Sequence, residues 1–323
     1  DGNAWLSGYG RVVRYRDGAW DAYTVADGLP GSYMRSLVVD AAGRVWVGAD
    51  YTPTRSLSVF DGTGWTRLNE TTTGIAFNFT AALAVGPDGD VWVGSRAGGG
   101  LHRFNGTSWT TYTTATSGMV SDRVACLAVD AAGTVWLGGG QWDEYGVTAY
   151  NGTSWTTYNR TNTYPGLKND RVDAIAVDHD GQVWFGHDEY LYGGISVFNG
   201  THWTTYSKSS SQLPDYRVQT LVVDADGQVW AGTRYGVAVF DGSAWTTYTA
   251  ATSGLEADDV EAFGVDPTGQ VWVGYDDVSG VSRFNGSHFA RLVPTIIDDR
   301  VYDVLVDAAG VVWFATYGGI SRY

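Results

Sequence analysis

Cysteine is almost missing from this chain: Cys126 is the only one in 323 residues. An intramolecular disulfide and a cysteine-based metal cluster are therefore excluded. A chain of this size does not need disulfides, so the compartment stays open. Lysine is nearly as scarce, with Lys168 and Lys208 alone, and 20 Lys plus Arg face 35 Asp plus Glu for a net charge of −15. Such an acidic surface repels phosphate backbones, so no nucleic-acid partner is expected. No apolar run approaches the roughly 18 residues of a membrane-spanning helix, so no membrane insertion is expected either. No signal-peptide pattern precedes Asp1-Gly2-Asn3; either a leader was removed or the sequence is an excised piece. Nucleophile elbow, zinc-binding helix, Walker loop and dinucleotide fingerprint are all missing.

What is abundant is glycine and aromatic residues: 44 Gly, 15 Trp and 20 Tyr against 2 Met. That mixture points to many short strands joined by tight turns. A motif Asp-x-x-Gly-x-Val-Trp recurs along the whole chain, its Trp at positions 5, 46, 92, 136, 184, 230, 272 and 313. A period of 40–50 residues built from strands and turns is the mark of a β-propeller. Each unit holds four strand-like runs, here called a, b, c and d; in one unit they are Tyr33–Asp40, Val45–Gly48, Leu57–Phe60 and Trp65–Leu68. Asp-x-x-Gly makes the a–b turn, and Asn-Gly or Asp-Gly makes the c–d turn.

The step from the end of run a to the b Trp is always six, and from the c aromatic to the d aromatic always five. By contrast the b–c connection ranges over 8 to 12 residues and the d–a connection over 18 to 23. In an up-and-down blade the a–b and c–d turns share one face, and the other two connections share the opposite face. All length variation therefore falls on one face, where binding loops are expected in repeat folds. There are seven a and seven d runs but eight b and eight c runs. The expectation is a single all-β propeller domain over 1–323 with seven four-stranded blades, the last taking its d strand from 20–24. Residues 1–15 would then be a surplus b–c hairpin duplicating 308–323. The alternative is eight blades, two of them three-stranded.

Units such as Val223-Asp224-Ala225-Asp226-Gly227-Gln228-Val229-Trp230-Ala231-Gly232-Thr233 resemble the two-component regulator propeller repeat, and the resemblance runs over essentially the whole chain. It implies a ligand-sensing extracytoplasmic domain of the kind carried by bacterial sensor proteins, often with sugar-derived ligands, and hence an extracellular or periplasmic location. Bacterial antibiotic-lyase propellers have a similar architecture, and their activity needs a particular histidine arrangement. Here His102, His179, His187, His202 and His288 occupy different blade positions and form no evident pair.

The repeated Asp residues (Asp40, Asp130, Asp178, Asp224, Asp266, Asp307) are read as turn-forming, and the b and d Trp residues as packing between blades. Of seven Asn-x-Ser/Thr sequons, four (Asn105, Asn151, Asn199, Asn285) are the c–d turn itself. Residues that break the repeat carry more information. One b–c loop holds Trp142, Asp143, Glu144 and Tyr145, and the next holds His187, Asp188, Tyr190 and Tyr192. Other variable loops add Tyr51, Arg55, Arg96, Arg234, Tyr235, Tyr275, Asp276, Asp277 and Tyr317. Aromatic faces stack on sugar rings or apolar side chains, and carboxylates accept hydroxyl or cation donors. The candidate ligand-binding set is therefore Trp142, Asp143, Glu144, Tyr145, His187, Asp188, Tyr190, Tyr192, Arg234, Tyr235, Tyr275 and Tyr317. Arg123, Arg171, Arg217 and Arg300 open four a runs; they are expected to pair with neighbouring aspartates, and an anion-holding ring is the alternative. Acidic doublets such as Asp188-Glu189, Asp258-Asp259 and Asp298-Asp299 would suit Ca²⁺, but none has EF-hand spacing, so no cofactor is expected.

The resulting expectation is a non-catalytic recognition module for a carbohydrate or a peptide or protein ligand. Two alternatives stand beside it: a lyase or hydrolase on the same face, and self-association by strand exchange through the terminal blade.

Overall fold

The computed structural model describes residues 4–8, 11–16, 19–31, 33–50, 56–139, 145–265, 269–275, 281–292, 301–306, 312–316 and 319–322. Its strands form antiparallel sheets in chain order. Six sheets are four-stranded blades, spanning 33–68, 80–112, 126–158, 174–206, 218–248 and 260–292 and numbered here as the second to the seventh. In the sixth, strands a to d are Val218–Val223, Val229–Thr233, Gly236–Phe240 and Trp245–Tyr248. Three single-turn helices follow d strands, and among the described residues no helix is long and apolar enough to cross a membrane.

The chain divides into two compact units. One holds Ser7–Asn162 with Asp1 and Asp170–Val172; the other holds Asp173–Tyr323 with Gly2–Leu6 and Thr163–Asn169. The second to fourth blades belong to the first unit and the fifth to seventh to the second.

The repeat motif has a physical cause in each unit. Asp224 closes its a–b turn by accepting the backbone N–H groups of Asp226 (3.0 Å) and Gln228 (2.8 Å) on Oδ1. Its Oδ2 accepts the indole N–H of Trp230, six residues on, at 2.7 Å. Asp40, Asp130 and Asp178 do the same for Trp46, Trp136 and Trp184 at 2.8, 3.0 and 2.7 Å. One carboxylate thus satisfies the turn and the polar edge of a buried ring. The expectation for Asp266 and Asp307 lies outside the described residues.

Trp46, Trp184 and Trp230 each wedge against c and d aromatics of the following blade. In the first unit Trp46 meets Phe104 at 5.3 Å and Trp109 at 6.0 Å between ring centroids. In the second, Trp184 meets Phe240 at 5.5 Å and Trp245 at 6.2 Å, and Trp230 meets Phe284 at 5.1 Å. These rings sit in apolar clusters that run from one blade to the next, such as Trp184, Val197, Leu213, Val229 and Trp245. At about 150–250 Å² per aromatic and about 25 cal/mol per Å², each wedge contributes roughly 4–6 kcal/mol before conformational entropy is counted.

The c–d turns hold the expected register, with Phe60↔Trp65, Phe198↔Trp203 and Phe240↔Trp245 as facing pairs. The four turn sequons are built as their geometry predicts. Asn105 Oδ1, for example, accepts from the backbone N–H of Thr107 and Ser108 at 3.1 and 2.9 Å.

The chain ends differ from the expected closure. Ala19–Thr24 pairs with Arg11–Arg16 in the register Tyr15↔Trp20, within a three-stranded sheet that also holds Ala4–Gly8. Val301–Val306, Val312–Thr316 and Gly319–Arg322 form another three-stranded sheet. The described strands thus make eight sheets, six of four strands and two of three. Local closure through a five-residue step costs far less chain entropy than pairing with a strand about 300 residues away.

Strand b is packed on both sides, so the residue three after its Trp is also buried. Ala49, Ser95, His187, Thr233 and Tyr275 all have zero exposure there. Polar side chains at this depth are tied to strand c: Ser95 to His102 Nε2 at 3.3 Å, His187 to Ser196 at 2.9 Å, and Tyr275 to Ser282 at 2.8 Å. Burial pushes the His102 imidazole down from 6.5 to about 4.

Two outcomes follow from this packing. Asp224→Ala leaves the Trp230 indole N–H and two backbone N–H groups without their acceptor. It is expected to cost about 2–4 kcal/mol, measured by urea unfolding with tryptophan fluorescence. Asp224→Asn keeps the two backbone bonds and should fall in between; an Ala variant as stable as the parent would sink the assignment. His102 binds its proton more weakly folded than unfolded, so its contribution is complete above about pH 6.5 and fades as pH falls toward 4. About 2 kcal/mol should disappear between pH 7 and pH 5. The drop in thermal midpoint over that interval should be smaller in His102→Gln, and an equal drop would remove His102 as its source.

Candidate functional site

The variable-length connections of the second unit bring together an open cleft of about 490 Å³, lined by Arg217, Arg234, Tyr235, Glu256, Ala257, Asp258 and Asp259. Three pieces of chain supply it. Arg217 precedes Val218, the buried first residue of the sixth blade's a strand. Arg234 and Tyr235 form the two-residue b–c loop of that blade, between Thr233 and Gly236. Glu256 to Asp259 lead into the seventh blade's a strand, Val260–Val265.

The loop is held by a short clamp. Thr233 Oγ1 donates to the Gly236 carbonyl at 2.8 Å, and the Gly236 N–H donates to the Asp258 carbonyl at 2.8 Å. Gly236 has φ +127°, and a Cβ there would lie 2.3 Å from the Tyr248 carbonyl oxygen. No side chain fits, which is why glycine opens this strand. Asp258 Oδ1 also accepts the Ala250 N–H at 2.7 Å, capping the turn after strand d.

Arg217 is the centre of the arrangement. Its Nε donates to Asp215 Oδ1 at 2.8 Å. Its guanidinium carbon lies 5.4 Å from the Tyr190 ring centroid and 5.4 Å from that of Tyr235. Burial opposes its charge, but Asp215 outweighs that and the pKa is raised. Lys208 Nζ sits 5.8 Å from the Tyr235 ring and 3.8 Å from Asp215 Oδ2. Arg234 Nη2 lies 3.9 Å from Asp188 Oδ2, and the Asp188 backbone N–H donates to Asp173 Oδ2 at 3.0 Å. An isolated β-bridge between Asp188 and Arg217 ties the two connections together. The rings themselves face water: Tyr190 is 65 % exposed and Tyr235 53 %. Planar cations and aromatic faces attract one another, so each part restricts the others.

Of the expected ligand set, Asp188, Tyr190, Arg234 and Tyr235 come together here. Tyr192 is exposed on the same b–c loop as Tyr190. Tyr145 is exposed in the first unit, beside a crevice of about 20 Å³ shared with Met119, Arg123 and Leu137. His187 and Tyr275 must be corrected: both are fully buried under their loops, bonded to Ser196 and Ser282, and out of a ligand's reach. Burial also raises the Tyr275 pKa. Trp142, Asp143, Glu144 and Tyr317 lie outside the described residues, as do Tyr51, Arg55, Asp276, Asp277, Asp299 and Arg300.

The aspartates before Arg123 and Arg171 have a task other than the expected ion pairing. Asp122 Oδ1 accepts the Thr114 N–H at 2.6 Å, and Asp170 Oδ1 the Arg160 N–H at 2.7 Å, as Asp258 does for Ala250. Arg217 does pair with an aspartate, but with Asp215 two residues back. In extended chain, i and i+2 point the same way, a signal that was open to sequence reading. Among the described residues, no group of three or more His, Cys, Asp or Glu side chains is placed to hold a metal ion.

A comparison with curated protein sequences finds no match. Among solved structures, PorZ, a bacterial surface component of the type-IX secretion system of Porphyromonas gingivalis, is similar at TM-score 0.68 and 16 % identity, over 97 % of this chain and 49 % of PorZ. Virginiamycin B lyase from Staphylococcus aureus is similar at TM-score 0.68 and 13 % identity, over 90 % of this chain and 94 % of the lyase. The extracellular domain of the hybrid two-component system BT4673 from B. thetaiotaomicron follows at TM-score 0.50 and 18 % identity, over 97 % and 44 %. The chain thus spans about half the length of PorZ and of the BT4673 domain. At these identities the likeness is one of fold. The family model of the two-component regulator propeller matches residues 28–51, 166–189 and 212–235, each running from a d–a connection through strand b. The chain is a β-propeller, and three of its repeats match the two-component regulator propeller family.

Proposed function

We propose that this protein is a non-catalytic recognition module. It binds a carbohydrate or peptide ligand outside the cytoplasm, as the sensor part of a larger signalling protein, in the cleft between Tyr190, Arg217, Tyr235 and Asp259. The observation that carries the reading is the pair of exposed tyrosine rings held by one guanidinium at the cleft mouth. Large rigid rings with little rotamer freedom give contact area at low entropic cost, and the flanking charges orient polar groups. A recognition role is also supported by what surrounds the cleft. Among the described residues, no histidine, serine or cysteine lines it. His102 and His187 are buried within blades, and His179, His202 and His288 are exposed on the opposite, constant-length turns.

The test is a glycan array and a peptide library probed with the full chain and with the Tyr190→Ala/Tyr235→Ala pair. The pair should weaken whatever ligand is found by at least about tenfold, since aromatic anchors carry about 2 kcal/mol or more each. Tyr145→Ala, in the first unit, should leave binding unchanged. Loss with Tyr145→Ala and not with the pair would move the site away from this cleft.

A further inference from the structure

The seven Asn-x-Ser/Thr sequons fall into two groups in the structure. Asn105, Asn151, Asn199 and Asn285 head c–d turns and are exposed, whereas Asn69, Asn78 and Asn159 belong to d–a connections and are half-buried. In the exposed turns Oδ1 closes the loop. It accepts the backbone N–H groups two and three residues on, at 3.1 and 2.9 Å for Asn105, 3.1 and 2.8 Å for Asn151, and 3.1 and 2.8 Å for Asn199. It also accepts the hydroxyl of the sequon's own third residue: Thr107 at 3.0 Å, Thr153 at 3.0 Å and Thr201 at 3.1 Å.

The turn has no need of the amide nitrogen. Asp61 and Asp241 head the equivalent turns of two other blades, and their Oδ1 accepts the same backbone donors, at 2.9 and 3.1 Å and at 2.8 and 2.8 Å. A carboxylate is the stronger acceptor for such donors. The Thr63 hydroxyl and the N–H groups of Thr63 and Gly64 hold the Asp61 carboxyl well below the usual carboxylate range. What Asn adds at 105, 151 and 199 is Nδ2, which makes no hydrogen bond among the described residues. The space around these turns is open: a Cβ on Gly106, Gly152 or Gly200 would meet nothing within 4 Å. Two other sequons are different. A Cβ on Gly99 would lie 3.3 Å from Asn78 Nδ2, and the sequon hydroxyl there belongs to the fully buried Thr80. Asn285 Nδ2 lies 3.1 Å from His288 Nε2.

We infer that Asn105, Asn151 and Asn199 are N-glycosylation sites. The co-substrate is an oligosaccharide carried on a lipid diphosphate. Nδ2 forms a C–N bond to the anomeric carbon as the bond from that carbon to the diphosphate oxygen breaks. The lipid diphosphate leaves with the electron pair, and one amide proton passes to a base of the transferring enzyme. Oδ1 is untouched, so each turn keeps its hydrogen bonds. The sugar stands at the end of the blade opposite the b–c loop, and the variable end stays open to ligand. The inference rests on the location outside the cytoplasm proposed above and is independent of the cleft.

Peptide mass spectrometry of the full chain purified from its source organism tests this, alongside fractionation of the same cells. Peptides holding Asn105, Asn151 and Asn199 should each carry an oligosaccharide mass, and the peptide holding Asn78 none. Asn105→Asp, made in that organism, rebuilds the turn found at Asp61, so it should fold and lose one oligosaccharide. Thr107→Val keeps Asn105 but removes the sequon hydroxyl, and it should lose the same oligosaccharide. Sugar retained at Asn105 in Thr107→Val would overturn the inference, as would sugar present equally on Asn78. Bare asparagines at 105, 151 and 199 in a chain found outside the cytoplasm would overturn it and leave the location standing. Bare asparagines in a chain confined to the cytoplasm would remove both.

Discussion

The bond between an aspartate carboxylate and an indole N–H six residues later is what the blades depend on. A tryptophan ring is the largest wedge available to fill the gap between adjacent sheets, but burying its N–H without an acceptor costs free energy. The a–b turn supplies that acceptor from the oxygen left over after Oδ1 has closed the turn. Turn, strand b and the interblade contact are thereby set by one side chain, and the six-residue spacing cannot drift. The third blade has Gly86 in place of this aspartate. Arg103 pairs with Asp90 and lies over the Trp92 ring at 5.5 Å.

A consequence is that the two ends of each blade live under different rules. At the a–b and c–d end the turn is closed by hydrogen bonds to its leading Asp or Asn, which hold the register. At the other end the chain needs only to leave one strand and enter the next. Sequence change is therefore free to accumulate there, and it has produced a short Arg234-Tyr235 loop in one blade and a longer tyrosine-bearing loop in its neighbour. The guanidinium of Arg217 joins these two loops across the boundary between blades.

Most of the fold was legible because it repeats. Spacing and aromatic positions agree seven times over, and the fixed and variable connections separate the two faces. The indole bond was hidden because the aspartate has a sufficient explanation in the turn alone. Tyr275 and His187 read as loop residues because they break the repeat just beyond the b Trp, whereas the third residue after that Trp is still inside the blade. Their equivalents Ser95 and Thr233 are small, and nothing in a single repeat says that a tyrosine fills the same hole. Tyr190, Arg234, Tyr235 and Asp188 were legible as departures from the repeat. The partnership of Asp215 with Arg217 was equally open in the i, i+2 spacing of an extended segment.

The carbonyl of the residue two before the buried valine accepts the N–H of the glycine that opens strand c: Asp122 for Gly100, Asp170 for Gly146 and Asp258 for Gly236, at 2.9, 2.9 and 2.8 Å. These three b–c loops are thus fastened at their roots to the connection that enters the next blade. The root geometry is shared, while the segment beyond it varies in length and chemistry. Such loops behave as interchangeable cartridges: one lifted from a given repeat and seated in another would find the same socket. A scaffold of this kind can acquire a new specificity by duplication and loop replacement, without renegotiating its core.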